Sequence, residues 1–187
     1  MEVDVQNGYV KILTVSDGVV AGTREDKSGA ALQELLTGAG FDVVERRVVA
    51  DGVQNEGEAT VGLTAAGFEV VERRVTEDGI ESVAAALRQM TDRFPGLVVT
   101  TGGTGFGPRD LTPEGTLRVI DRVAPGLAEA MRLASPLGRL SRAVAGTVGE
   151  SLVLNTPGST KGCIETLDAV LDVIPHALRL LAGHREH

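Results

Sequence analysis

Asp110 closes a glycine-rich run, Thr101-Gly102-Gly103-Thr104-Gly105-Phe106-Gly107-Pro108-Arg109-Asp110. Closely spaced glycines let backbone N–H groups converge on an anion, and a helix N-terminus behind them adds the positive end of its dipole. A carboxylate beside such a cradle repels phosphate unless a divalent cation lies between them. Magnesium suits that place, because it takes one or two carboxylates together with phosphate oxygens. The run therefore points to nucleotide or phosphoryl chemistry with Mg2+. It is neither the Walker pattern nor the dinucleotide fingerprint. The same glycines would also serve a tight strand-to-helix turn, so spacing alone leaves both readings open.

The flanking residues supply the elements that must position this loop. Leu97-Val98-Val99 reads as a buried strand end. Thr112-Pro113-Glu114 reads as a helix start, with Thr112 able to cap and proline suited to the first helical position. That helix is expected over 113–122, broken by Pro125-Gly126, with a short helix over 127–133. A first strand is expected over 10–16, ending in Ser16-Asp17-Gly18 and a polar loop through Gly29. Asp26, Ser28 and Gly29 in that loop fit helix capping as well as a ligand loop. Leu32, Leu35 and Leu36 then mark a helix that Gly38 and Gly40 stop. Ser151–Asn155 reads as another strand, followed by Pro157-Gly158-Ser159. Ile164, Leu167, Leu171, Ile174, Leu178 and Leu181 form the apolar stripe of a last helix, kinked at Pro175. Alternating strands and helices predict an α/β fold, with a doubly wound, mostly parallel sheet and helices on both faces. Ligands in such sheets bind beyond the carboxyl ends of the strands. Loops 16–29, 100–112 and 155–161 all follow strand ends and are expected to meet at one site.

Composition limits the partners. The chain of 187 residues has a formal net charge of −8, which argues against nucleic-acid binding. Its five aromatics, Tyr9, Phe41, Phe68, Phe94 and Phe106, are too few for base-stacking platforms. A single cysteine, Cys163, allows no internal disulfide and suits a reducing compartment. It reads as a small buried apolar residue rather than a nucleophile. The acidic start Met1-Glu2-Val3-Asp4 has no apolar core of a signal peptide, and no uncharged stretch is long enough for a membrane span. A cytoplasmic protein with no membrane partner is the expectation. His184 and His187, near the chain's end, read as solvated.

One stretch occurs twice. Residues 36–52 and 63–79 are identical at 13 of 17 positions, at an offset of 27 residues. Two copies at one short period are not a solenoid. They read as a duplication of a helix end plus a strand within a single domain over 1–187. Both copies carry Glu-Arg-Arg, at 45–47 and 72–74. A central parallel strand, buried on both faces, excludes such a triplet, so this strand belongs at or near a sheet edge.

Taken together, Thr101-Gly102-Gly103-Thr104-Gly105, Pro108-Arg109-Asp110, Thr112-Pro113-Glu114, Pro125-Gly126, Leu140-Ser141-Arg142 and Asn155-x-Pro157-Gly158-Ser159 resemble the molybdopterin-binding family of MogA/MoaB type. That family includes molybdopterin adenylyltransferases and the gephyrin G domain, and the resemblance spans about residues 9–182. It implies a three-layer molybdopterin-binding fold, assembly as a homotrimer, and contact with other molybdenum cofactor biosynthesis proteins. It also implies adenylylation of molybdopterin by Mg-ATP with release of pyrophosphate. On the family's pattern Asp110 and a second aspartate after the edge strand hold Mg2+. Asp51 and Asp78 both qualify, and Asp78 is preferred because Asp78-Gly79-Ile80 leads into a family-like helix. Ser16, Asp17, Thr101, Gly102, Gly103, Thr104, Gly105, Glu114, Ser141, Arg142, Asn155, Pro157, Gly158 and Ser159 fall at nucleotide- or substrate-binding positions, with Arg142 read as a phosphate anchor on the pterin side. The chain departs from the pattern in the duplicated 27 residues and in Thr156, where leucine or methionine is common. The duplication beside Asp78 leaves a second class open, a non-catalytic MoaB-type pterin-binding or assembly module.

Overall fold

The computed structural model describes residues 8–50 and 79–183. Alternation of apolar side chains decides the architecture. In β1 (Tyr9–Val15) Val10 and Ile12 face one layer of helices while Leu13 and Val15 face the other. In β3 (Leu97–Thr101) and β6 (Ser151–Thr156) Leu97, Val99, Leu152 and Leu154 face the first layer, and Val98 and Val153 the second. A strand apolar on both faces must be covered on both, so the sheet is sandwiched. α2 (Lys27–Gly38), α5 (Pro125–Leu133), α6 (Thr160–Asp168) and α7 (Ile174–Leu181) supply the first layer. The second is built on α3 (Gly79–Thr91), through Val83, Ala86, Leu87 and Met90. With β2 (Asp42–Val49), β4 (Arg122–Val123) and β5 (Ala145–Val148), the strand order is β2-β1-β3-β6-β5-β4. The first four strands run parallel, and β5 pairs antiparallel with both β6 and β4. The expected mostly parallel α/β sheet with helices on both faces is present, as a mixed six-stranded sheet. No helix among the described residues is long and apolar enough to cross a membrane.

Among the described residues β2 is an outer strand of this sheet, at or near the edge where its Glu-Arg-Arg places it. Each charge has a partner. Glu45 pairs with Lys11 at 3.1 Å and with Arg47, while Arg47 also donates to Gln89 at 2.8 Å. Arg46 donates to Gln33 at 2.9 Å and to Asp26 at 2.7 Å. Asp26 is the more consequential partner. Its carboxylate, only 4% exposed, caps α2 by accepting from the Gly29 amide at 2.9 Å and also accepts from Thr14 at 3.0 Å. The polar stretch before α2 is thus a capping motif that also ties α2 to β1 and β2. The second copy of the repeat, with the extra strand it would provide, lies outside the described residues.

Three helical expectations are corrected. The helix expected over 113–122 is α4 (Thr112–Leu117). The Asp121 amide is taken by Thr147 at 2.8 Å, and Arg122–Val123 pair with β5 instead of continuing the helix. Thr112 does not cap it: Leu111 occupies the cap position, and the Thr112 hydroxyl is buried with no hydrogen-bond partner among the described residues. Pro125 begins α5 rather than breaking a helix, using the position where its missing N–H costs nothing. The last helix is two helices. α6 ends at Asp168, and Pro175 lies in the first turn of α7 because the ring cannot continue a preceding helix. The apolar stripe survives the break, since Leu167 and Ile174 are fully buried on the same layer.

Replacing Asp26 with alanine removes the α2 cap and leaves Arg46 without its buried partner. The loss is expected to be about 2–4 kcal/mol, read as a thermal midpoint lowered by roughly 5–10 °C. Asp26→Asn keeps the cap acceptor and should fall between this variant and the parent.

Candidate functional site

The carboxyl ends of β1, β3 and β6 open into a cleft of about 1140 Å³. Thr14, Val15 and Ser16 form one wall, Thr101–Gly105 with Asp110 the floor, and Pro157–Gly162 the opposite wall. The three loops expected to converge do so. The floor is locked to both neighbours by backbone contact. Gly102 donates its amide to Thr156 at 3.1 Å, and the Thr101 hydroxyl donates to the Pro157 carbonyl at 2.8 Å. Gly102 has φ 105°, and a Cβ there would lie 2.2 Å from the Val15 carbonyl oxygen, so glycine is obligatory on both counts. Gly103 follows with φ 62°. Among the described residues, no acceptor takes the amides of Gly103, Thr104 or Gly105. Successive free N–H groups in a left-handed turn make an anion-binding concavity.

Asp110 lies against this turn. Its carboxylate accepts from the Gly107 amide at 2.7 Å. A Cβ at Gly105 or Gly107 would come within 2.8 and 2.7 Å of the same oxygen, so the loop makes room for the carboxylate by having no side chain there. The Asp110 carboxylate would suit Mg2+, and the free amides beside it a phosphate. Among the described residues no group of three or more metal-binding side chains is assembled. The other candidate ligands, Asp78 and Asp51, lie outside the described residues.

The remaining sequence candidates divide into those that face the cleft and those that hold its walls. Ser16, Ser141, Pro157, Gly158 and Ser159 line it. Ser16 also caps the short α1 (Asp17–Val20), and Ser159 caps α6 with the Gly162 amide at 3.1 Å. Asp17, Glu114, Arg142 and Asn155 do not line it. Asp17 accepts from Arg109 at 2.7 Å, tying α1 to the glycine-rich loop. Asn155 is fully buried; its amide donates to Thr100 and Thr116 at 3.0 Å, and its oxygen accepts from the Val144 amide at 3.2 Å. Arg142 donates to the Gly105 carbonyl at 2.7 Å, to the Asp110 carbonyl and to Glu114.

Reading by motif missed part of the cleft. A 3₁₀ turn, Pro136–Leu140, brings Leu137 and Leu140 to its rim; Pro136 and Gly138 were its only signal. Arg24, Lys27 and Lys161 gather at the mouth. Lys27 and Lys161 approach Glu25 and Glu165 at 3.9 and 3.6 Å, exposed contacts that leave their charge available to an anionic ligand. Glu25, Glu165 and Asp110 line the same cleft, so these cations bring its lining to formal balance in a chain of net charge −8. Cys163 is fully buried beneath the Ser159 loop, its thiol donating to the Thr160 carbonyl at 3.2 Å. Burial pushes this thiol up from 9.0 to about 11, against hydrogen bonds that act the other way.

Known proteins share these features. Residues 11–62 and 60–176 match the family model described as a probable molybdopterin binding domain. The molybdopterin adenylyltransferase of Helicobacter pylori is 34% identical over 187 aligned residues, covering 96% of this chain and 91% of that protein. The protein of the same name from Escherichia coli is 33% identical, covering 93% and 85%. The molybdopterin biosynthesis enzyme MoaB of Thermus thermophilus, a crystal structure, superposes with a TM-score of 0.75 at 40% identity, covering 94% of this chain and 97% of that one.

Two outcomes follow from the buried positions. Asn155→Ala strips partners from three buried groups and is expected to cost about 3 kcal/mol in urea unfolding. Cys163 should resist a thiol reagent in the native protein at pH 8 and react on unfolding. Because its folded pKa is raised, the thiol's contribution to stability is intact below pH 9 and lost as pH rises from 9.0 towards about 11. Cys163→Ala should show a smaller loss over that window.

Proposed function

The chain belongs to the molybdopterin-binding family, and we propose that it is a molybdopterin adenylyltransferase of molybdenum cofactor biosynthesis that uses Mg-ATP. The observation that carries this reading is the cleft floor, where the free amides of Gly103–Gly105 sit beside the Asp110 carboxylate in a cleft also lined by Arg24, Lys27 and Lys161. An oxygen of the pterin's terminal phosphate attacks the α-phosphorus of ATP. The bond from that phosphorus to the bridging oxygen breaks, and pyrophosphate leaves. Such a transfer asks the protein for alignment and charge neutralisation rather than a covalent intermediate. The Gly103–Gly105 amides hold phosphate oxygens, and Ser16, Ser141 and Ser159 contribute hydroxyls along the walls. Lys27, Lys161 and Arg24 draw the anionic substrates to the mouth. Magnesium would be held by Asp110 and by Asp78, which precedes α3 in sequence, and would supply charge neutralisation at the phosphates.

A homotrimer working in the cytoplasm alongside other molybdenum cofactor biosynthesis proteins belongs to the same proposal. Leu133, Leu137 and Leu140, exposed by 79, 73 and 57%, suit burial against a neighbouring subunit. The single-domain reading over 1–187 is likewise proposed, with the duplicated stretch as an insertion. The family match, split into two segments that meet between the copies, supports it.

Pyrophosphate release from Mg-ATP should require molybdopterin and should fall roughly 100-fold or more in Asp110→Asn. Pterin binding without release in the parent protein would return the non-catalytic module. Asp78→Ala should abolish release and Asp51→Ala spare it; the opposite result would reassign the second aspartate. A chain lacking residues 52–78 joins Asp51 to Gly79 and so retains one aspartate before α3. It should keep the fold, as judged by a cooperative unfolding transition.

A further inference from the structure

The side chain least consistent with its motif-based role is Arg142. A phosphate anchor points its guanidinium into the cleft, and Arg142 is not among the cleft-lining residues. Its nitrogens are committed elsewhere. Nε donates to the Gly105 carbonyl at 2.7 Å, one terminal nitrogen to the Asp110 carbonyl and the other to Glu114. Gly105 and Asp110 are the two ends of the turn that carries the candidate magnesium carboxylate, so one rigid fork spans that turn. The Arg142 amide adds a third attachment, to the Thr104 carbonyl at 2.9 Å. Glu114, in the first turn of α4, balances the guanidinium charge.

The segment bearing Arg142 is itself held. Ser141 donates its amide to Gly138 at 2.9 Å, and Arg132 on α5 donates to the Ala143 carbonyl at 2.9 Å. Gly138 packs so closely that a Cβ there would lie 2.0 Å from the Arg132 carbonyl oxygen. The clamp is therefore mounted on α5 and the 3₁₀ turn, and it reaches the glycine-rich loop from behind.

We propose that Arg142 is a positioning residue that fixes the 105–110 turn, and with it the Asp110 carboxylate, with Glu114 as its counter-charge, rather than a group that binds substrate phosphate. A planar fork with fixed donor directions can hold two carbonyls at set separation, and lysine, a single point charge, cannot. The consequence for chemistry rests on the adenylyltransferase reading; the consequence for the loop does not.

The experiment uses Arg142→Lys and Glu114→Gln in the full chain. Its first arm measures amide hydrogen exchange at Gly107, Asp110 and Thr112 without ligands, each amide being bonded within the loop. Exchange there should rise at least about tenfold in Arg142→Lys, and less in Glu114→Gln, with α3 and β6 unaffected. The second arm measures pyrophosphate release. In Arg142→Lys kcat should fall roughly 10–100-fold and the Mg2+ concentration for half-maximal rate should rise, while KM for molybdopterin shifts less than about threefold. Unchanged loop exchange together with a raised KM for molybdopterin would overturn the proposal and restore Arg142 as a substrate anchor. If Arg142→Lys failed to fold, Glu114→Gln would decide, because a loop indifferent to loss of the counter-charge refutes the clamp. A parent protein with no turnover would refute the enzymatic reading while leaving the exchange arm to judge the clamp.

Discussion

The cleft depends on one close approach, that of Gly102 to the end of β1. Three parallel strands end side by side here, and the chain leaving β3 must turn across the neighbouring strand ends without rising into the cleft. With φ 105° and 2.2 Å between an added Cβ position and the Val15 oxygen, only a residue lacking Cβ can make that turn. Its amide then reaches Thr156, which ties the β3 loop to the end of β6. Gly158 completes the contact: its own Cβ position would stand 3.1 Å from Gly102 Cα. The two glycines set how closely the loops pack, and that closeness turns the Gly103–Gly105 amides upward instead of into the sheet.

Around this floor, charge is organised by pairing. Charged side chains behind the walls have a specific opposite charge and further hydrogen bonds, whether buried, as Asp26 is, or half-buried, as Arg142 and Glu114 are. Asp26 with Arg46 and Thr14 is one case, and Arg142 with Glu114 and two loop carbonyls is the other. For the buried Asp26 those connections matter most, because a half-satisfied buried charge costs more than the pair contributes. At the cleft lining, Lys27 and Lys161 have only long, exposed contacts with Glu25 and Glu165. The close charge pairs thus lie behind the walls and the loose ones at the cleft.

Much of this was legible in sequence because it follows from local rules. The short apolar run Leu97-Val98-Val99 identified a buried strand, and Glu45-Arg46-Arg47 placed its strand at or near an edge, where long side chains can reach partners outside the sheet. Three glycine- or proline-marked strand ends identified the site. What failed were inferences that need tertiary partners. The residues after Leu117 left their helix because β5 offered ladder bonds, which no propensity encodes. Pro125 and Pro175 were read as disrupting helices, yet each begins one, since a proline signals a boundary without saying which side of it is helical. The 3₁₀ turn over Pro136–Leu140 was invisible because its residues have no periodicity, only a seat against Arg132.

The same distinction explains why the motifs mix two kinds of residue. Geometry divides the motif positions by where their polar atoms point. Gly103, Thr104, Gly105 and Asp110 present atoms to the cleft. Asn155, Glu114 and Arg142 present theirs to the elements behind it. Asn155 joins β3, α4 and the chain entering β5 through one amide, as Arg142 joins the two ends of the loop through one guanidinium. Both use planar groups with several donors or acceptors at fixed angles, and such groups can set the separation of three segments at once. The resulting constraint fixes the loop from behind as firmly as the close glycine contacts fix it from the strand ends. Spacing in the sequence cannot separate the residue that touches from the residue that braces; only the direction of the side chain does.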